Sequence, residues 1–330
     1  MLISWNTTWV CNLRCRHCYR DAGKKAKDEL STSEGKLLLE EIGGSGFKRI
    51  VFSGGEPLLR KDIYELVRYA KDLGLDSVFG TNGTLISPEV ARMLKLAGAT
   101  RIGISLDSLR ENIHDDFRQV KGAYRKAISG MKSCKMVGLE FQIHTTVMEF
   151  NYDEIEEISN FSERIGAEAY HIFFLIPTGR ARDYQYSKRG VQQWAKMYES
   201  LLQRILIKQK EIDIELKPTC APQFVRQALQ MNIPIRFKKG CLAGISYCCI
   251  LPNGDVHPCP YLPINAGNIR EKGFKEIWEE ADILLKLRSR NYKGKCGRCD
   301  YKESCGGCRA RAYFYSEDYM GEDPFCLYNG

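Results

Sequence analysis

Cys11, Cys15 and Cys18 place three thiols in the short stretch Cys11-Asn12-Leu13-Arg14-Cys15-Arg16-His17-Cys18, with the spacing C-x3-C-x2-C. Three thiolates this close can hold three irons of one cubane iron–sulfur cluster and leave the fourth iron without a local protein ligand. An open coordination position is where a small molecule binds and reacts, as at catalytic metal centres generally. A structural zinc site more often pairs two C-x2-C units to reach four ligands. The stretch is therefore read as an iron–sulfur centre with a vacant corner.

A second constellation lies near the other end of the chain. It comprises Cys241, Gly254-x4-Cys259, then Cys296-x2-Cys299-x5-Cys305-x2-Cys308, and finally Cys326, with the adjacent pair Cys248-Cys249 between the first two. Taken alone, two C-x2-C pairs suffice for a zinc ribbon. Cys134 and Cys220 are the only cysteines of the 14 outside these regions. Cys134 falls in a helix-like stretch, Lys132–Val137, and reads as a buried small hydrophobe. Cys220 reads equally as a structural thiol or as one near a substrate.

The rest of the chain bounds these readings. Its 330 residues, 44% hydrophobic and 11% aromatic, supply a sizeable core for one large domain or two ordinary ones. No apolar run reaches the roughly 18 residues of a bilayer span. The strand-like opening Met1–Trp5 lacks the features of a secretory signal, so a cytoplasmic protein is expected. A reducing compartment disfavours structural disulfides and directs so many thiols toward metal or catalysis. Lys and Arg exceed Asp and Glu by 49 to 41, a formal charge of +8, which can balance anionic clusters or receive an anionic substrate. The basic residues are scattered, with no aromatic-interleaved block, so no nucleic-acid partner is expected.

The elements that must position the thiols alternate β and α. Strands are expected at Leu2–Asn6, Arg49–Ser53, Ser77–Thr81, Arg101–Ser105, Glu140–Val147 and Ala169–Leu175, six in all. Ser31 and Glu34 have capping-box spacing before Lys36–Ile42, and Ser87-Pro88 supplies a cap and first-turn proline before Glu89–Leu96. Asp153–Ile165 and Val191–Lys210 read as helices, Ile212–Lys217 as extended, and Phe274–Leu287 as one helix. This order suits an open doubly wound sheet or a barrel, and in both the loops at strand carboxyl ends carry the chemistry. The division reads as 1–217 for the βα core, 218–240 for a connector, and 241–330 for a turn-rich, metal-stabilised region.

C-x3-C-x2-C directly after the first strand of a βα series resembles the radical S-adenosylmethionine (SAM) superfamily. The resemblance runs through residues 1–180 and includes Ser53-Gly54-Gly55-Glu56-Pro57 after the second strand. It implies an α/β fold built on a partial (β/α)6 TIM-type barrel. It also implies a 4Fe-4S cluster on Cys11, Cys15 and Cys18 that chelates SAM and cleaves it reductively to a 5′-deoxyadenosyl radical, which abstracts a substrate hydrogen. Gly54, Gly55 and Glu56 then bind the methionyl amine, Asn82, Ser105 and Arg118 are further SAM contacts, and Ile176 lines the adenine. His17 occupies the position whose backbone touches adenine, and no proton transfer is assigned to it.

The second constellation resembles the SPASM extension, which holds auxiliary 4Fe-4S clusters. Carried over, one cluster uses Cys241, Cys259, Cys308 and one of Cys248 or Cys249, with Cys248 chosen, because neighbours in extended chain point opposite ways. The second uses Cys296, Cys299, Cys305 and Cys326. Relatives usually have C-x3-C at the last pair, where this chain has Cys305-x2-Cys308.

Lys217-Pro218-Thr219-Cys220-Ala221-Pro222-Gln223-Phe224, Gly240-Cys241-Leu242-Ala243-Gly244, Pro258-Cys259-Pro260-Tyr261-Leu262-Pro263 and Cys305-Gly306-Gly307-Cys308-Arg309-Ala310-Arg311-Ala312 are similar to the NirJ and AhbC/AhbD group. Those enzymes modify tetrapyrrole side chains in alternative haem and nitrite-reductase haem biosynthesis. The resemblance implies an anionic iron-tetrapyrrole substrate and a low-potential electron donor such as flavodoxin or ferredoxin. Arg180, Arg226, Lys238 and Lys239 are candidate carboxylate partners. The competing enzyme reading is a SPASM peptide maturase, disfavoured because no leader-binding segment is recognisable before Cys11. A zinc-stabilised regulatory protein is the non-enzymatic alternative.

Overall fold

The structure, a computed structural model, describes residues 1–23, 28–182 and 190–329. Seven strands follow one another along the chain and pair side by side in parallel: β1 (Leu2–Asn6), β2 (Arg49–Ser53), β3 (Asp76–Thr81), β4 (Ala99–Ser105), β5 (Glu140–Val147), β6 (Ala169–Phe174) and β7 (Glu215–Thr219). Three more, β8 (Tyr247–Ile250), β9 (Asp255–His257) and β10 (Gly267–Asn268), extend the sheet beyond β1. β8 pairs parallel to β1, with Cys248 opposite Ile3 and Cys249 opposite Ser4. β9 and β10 continue antiparallel.

Three expectations are corrected. The parallel series has more than six strands: the segment read only as extended is β7, on the free edge of β6, and β8 covers the other edge. β7 contains Pro218, which lacks an amide donor and is tolerated there because the strand is an edge. The stretch Phe274–Leu287 is two helices, Phe274–Glu280 and Asp282–Ser289, because the backbone at Ala281 leaves the helical region (ψ 124°). The helix expected from Asp153 begins at Ile155, after a 3-10 turn over Glu149–Glu154.

Local chemistry explains the other helices. At helix Thr32–Gly44 the Ser31 hydroxyl accepts from Glu34 N and the Glu34 carboxylate accepts from Ser31 N, which satisfies two otherwise orphaned amides. At helix Pro88–Ala97 the Ser87 hydroxyl accepts from Val90 N, and Gly98 closes the end at φ 112°.

Strand alternation gives the sheet two faces. Ile3, Trp5, Ile50, Phe52, Phe79, Ile102, Phe141, Ile143 and Ile172 point to the helices and form the main core. Ser4, Asn6, Ser53, Gln142, His144, His171 and Lys217 alternate with them on the inner face. The C-terminal region packs into the same core: Phe274 and Trp278 meet Phe47 edge-on, with ring centroids 5.4 and 5.0 Å away. No helix among the described residues is long and apolar enough to cross a membrane.

Candidate active site

The cysteine loop leaves β1 at its carboxyl end and is held from three sides. From beneath, Gly55 N donates to Thr8 O and Glu56 N to Val10 O, each at 2.7 Å. A Cβ on Gly54 would lie 2.7 Å from Thr8 O, and one on Gly55 would collide with the Val10 carbonyl, so only glycine permits this approach. From one flank, Arg16 N donates to Phe117 O at 3.0 Å, and His17 stacks on Phe117 at 4.3 Å between centroids. From the other, Arg180 N donates to Cys18 O at 2.9 Å and Arg180 Nε to Cys15 O at 3.0 Å. Arg180 also pairs with Asp21 at 2.6 Å, so it clasps the loop.

The three thiols share one apolar nest with Leu13 and Ala123. Donors point at the sulfurs: Leu13 N to Cys11 Sγ at 3.4 Å, Ala22 N to Cys18 Sγ at 3.5 Å, and Arg118 Nη1 to Cys15 Sγ at 3.6 Å. Such donors favour thiolate, the form that ligates iron. Burial opposes them and pushes the Cys11 thiol up to about 12, so metal binding must displace its proton. Three convergent soft ligands with amide and guanidinium support fit an iron–sulfur cluster.

The residues expected on SAM gather around this loop, each with a partner of its own. Glu56 is fully buried, accepting from Thr81 Oγ1 at 2.7 Å, Asn82 N at 2.9 Å and Leu58 N at 3.2 Å. Burial raises its carboxyl to about 7 against the pull of those bonds. Asn82 Nδ2 donates to Asn12 Oδ1 at 2.8 Å, at the start of the cysteine loop. Ser105 Oγ donates to Thr81 O at 3.2 Å. Arg118 Nε meets Asp107 Oδ2 at 2.6 Å inside the protein. Ile176 lies in the main core.

The second region sorts its cysteines into two groups. Cys296, Cys299, Cys305 and Cys326 line one small pocket together with Arg226 and Tyr328. Cys241, Cys259 and Cys308 are electrostatic neighbours of one another. Between the groups runs a buried polar chain. The Asp323 carboxylate accepts from Cys308 N at 2.8 Å and Arg311 Nη1 at 3.0 Å, and Asp323 N donates to Cys296 Sγ at 3.4 Å. Cys248 joins neither group. It packs fully buried in the apolar core, where its charged neighbours are Cys249 and Arg288. Cys249 points to the inner face and accepts from Asn6 Nδ2 at 3.0 Å and Arg20 Nη2 at 3.3 Å. Cys134 is buried in helix Ala123–Val137.

The inner face between the two cysteine regions holds residues the sequence did not single out. His144 stacks on His171 at 5.1 Å, and Gln142 Nε2 lies 2.7 Å from His144 Nε2. Tyr19, next to Cys18, meets Tyr261 at 5.0 Å, next but one to Cys259. Lys217 Nζ sits 3.9 Å from the Phe237 ring centre and makes no ion pair among the described residues. The polar alternation Gln142, His144, Thr146 along a strand was the available signal. Of the expected carboxylate partners, Arg226 is bound to the buried Glu199 and Lys239 donates to Glu303 O at 3.3 Å.

Burial holds His144 down to about 3 and His171 well below its ordinary 6.5, so both rings are neutral at pH 7. As pH falls below 6.5 the unfolded chain takes up protons that the folded chain refuses, so this stability is complete above 6.5 and drains away toward the folded values. The variant carrying His144→Gln and His171→Gln is expected to lose less stability than the parent between pH 7.5 and 5. Guanidinium midpoints measured at both pH values check this, and parallel losses would contradict it.

A cysteine loop at the mouth of a parallel βα sheet, with a second thiol-rich region continuing that sheet, defines a cluster-dependent SAM enzyme. The chain belongs to the radical SAM superfamily, whose profile matches residues 5–162, and it carries an iron–sulfur cluster-binding SPASM domain over residues 241–309. It is similar to proteins named AdoMet-dependent heme synthase: that of Methanosarcina barkeri is 42% identical, covering 99% of this chain and 96% of the relative. That of Oleidesulfovibrio alaskensis is 40% identical over 99% of this chain and 87% of the relative. The fold is also that of Streptococcus suis SuiB bound to S-adenosylmethionine, with TM-score 0.79, 19% identity, and 99% and 77% of the two chains covered.

Proposed function

We propose that this enzyme removes carbon from the propionate or acetate side chains of an iron-tetrapyrrole, in the manner of a haem synthase. The observation that carries the reading is near-full-length identity of 42% and 40% to two such synthases. The inner face supports it. Stacked His144 and His171 with Phe173 offer flat, neutral ring surface, and Lys217 offers an ammonium that makes no ion pair among the described residues, its neighbour Glu215 being paired with Arg236. An anionic, flat macrocycle supplies what both lack.

Cys11, Cys15 and Cys18 hold the cluster that, with SAM, furnishes the hydrogen-abstracting radical. Gly54, Gly55, Glu56, Asn82, Ser105, Arg118 and Ile176 frame the SAM site. Taking a hydrogen atom and CO2 from a propionate to leave a vinyl group releases one electron, and the thiol-rich second region holds redox centres able to accept it. A low-potential flavodoxin or ferredoxin supplies the initiating electron in the cytoplasm.

The test is anaerobic incubation with SAM, reductant and iron-coproporphyrin, followed by product mass analysis. Loss of CO2 from the side chains is the expected result. SAM cleavage that leaves every tetrapyrrole unchanged while a peptide is modified would reverse the reading in favour of a maturase. In the same assay Lys217→Gln should raise the tetrapyrrole KM about tenfold, the ~1.4 kcal/mol of one lost charge contact, with kcat nearly unchanged. An unaltered KM would remove Lys217 from the substrate site.

A further inference from the structure

We propose that Cys220 supplies the fourth thiolate of the iron–sulfur site formed by Cys241, Cys259 and Cys308. The inference rests on the reading that those three residues hold an auxiliary cluster, for which their own sequence stretch provides no fourth ligand in reach. Cys248 faces the apolar core on the far side of β8, and Cys249 lies within β8 opposite Ser4, its sulfur directed to Asn6 of β1 and Arg20.

Cys220 lies just beyond β7, outside the matched cluster-binding domain, yet the backbone brings it to that site. Arg311 Nη2 donates to Cys220 O at 2.7 Å, while Arg311 Nη1 binds Asp323, whose carboxylate accepts from Cys308 N. One guanidinium thus ties the Cys220 turn to the Cys308 turn. Gly240, beside Cys241, packs against Pro222: a Cβ there would come within 2.8 Å of the proline Cβ. Cys241 N in turn donates to Cys305 O at 3.0 Å, and Gly244 N to Pro258 O at 3.2 Å, next to Cys259. Four turns therefore meet, each carrying one cysteine. The electrostatic neighbours of the Cys220 sulfur are Cys308, Cys259, Arg311 and Cys241.

The backbone at Cys220 is left-handed, with φ 61°, a conformation unusual for a side-chain-bearing residue outside Asn and Asp. Cys220 and Cys241 are both half-buried.

The experiment is iron and acid-labile sulfide analysis with low-temperature EPR on anaerobically reconstituted full-length protein, comparing the parent with Cys220→Ala, Cys220→Asp, Cys241→Ala and Cys248→Ala. Cys220→Ala is expected to lose iron and the same auxiliary-cluster signal as Cys241→Ala, while Cys248→Ala keeps both. Cys220→Asp, with an oxygen donor, should retain more iron than Cys220→Ala but shift the signal, which a merely structural thiol would not do. If Cys241→Ala loses the cluster and Cys220→Ala retains the parent spectrum, the inference is overturned and the auxiliary site stands. If neither variant loses iron, both the inference and the auxiliary site fall. Should Cys220→Ala not fold, alkylation of the wild-type protein with and without its clusters decides: Cys220 protection must rise with cluster loading, and constant protection overturns the assignment.

Discussion

Alanine at Cys11, Cys15 or Cys18 abolishes 5′-deoxyadenosine formation from SAM, down to the background of cluster-free protein. The three thiols share the nest formed with Leu13 and Ala123, and no other cysteine among the described residues joins it. A lost thiolate leaves an iron without a protein ligand in a pocket whose remaining donors are amides and the Arg118 guanidinium, which cannot coordinate a cation. The fold should survive, because the loop is held by backbone bonds to Phe117, Gly55 and Glu56 that do not involve the sulfurs. Circular dichroism near the parent's, with no SAM cleavage by liquid chromatography, is the expected pair of readings. Cleavage persisting in all three variants would sink the assignment.

Asp323→Ala should cost the second region about 3–5 kcal/mol, the penalty for leaving one half of a buried ion pair alone. Asp323 and Arg311 are 0% and 1% exposed at 3.0 Å. The carboxylate also accepts from Gln223 Nε2 at 2.8 Å and Phe325 N at 3.0 Å, so its loss strands donors from three segments at once. Because the carboxylate holds the Cys308 turn, iron from the Cys241, Cys259 and Cys308 group should fall most, whereas the Asp323 N–H that donates to Cys296 Sγ survives the substitution. Asp323→Asn keeps the shape and most acceptors, and should cost less. Guanidinium unfolding with iron analysis measures this; a change of Asp323→Ala within about 1 kcal/mol of the parent would show the carboxylate to be dispensable.

Much of the framework was legible because periodicity and turn chemistry act locally. β1, β2 and β5 fall on the expected residues, and the Ser31–Glu34 and Ser87–Pro88 signals cap the helices they marked. β7 and β8 were not legible as barrel strands. One is short and carries Pro218, the other is a four-residue stretch dominated by Cys248 and Cys249, and both owe their place to partners far away in sequence. The cysteine patterns announced the chemistry, since thiol spacing is set by the metal core rather than by the fold.

Side-chain roles around the loop were harder to read. Nothing in the sequence showed that the Glu56 carboxylate also accepts from Thr81, Asn82 and Leu58, which fix it beside the cysteine loop. Arg180, one of the candidate carboxylate partners, makes its described contacts to the cysteine loop, a role that spacing alone did not reveal. Lys217 passed unnoticed because alternation reports that a strand has two faces without reporting which of them looks into the barrel.

β1, which launches the cysteine loop, has β2 on one side and β8 on the other. During synthesis the first partner leaves the ribosome soon after β1, but the second arrives some 240 residues later. At about 5–20 residues per second, the flank of β1 stays an unpaired edge for tens of seconds. The strand that launches the cysteine loop therefore keeps an open edge until β8 has emerged. A chain stopped before β8 would be released with that edge open, ready to pair with another chain.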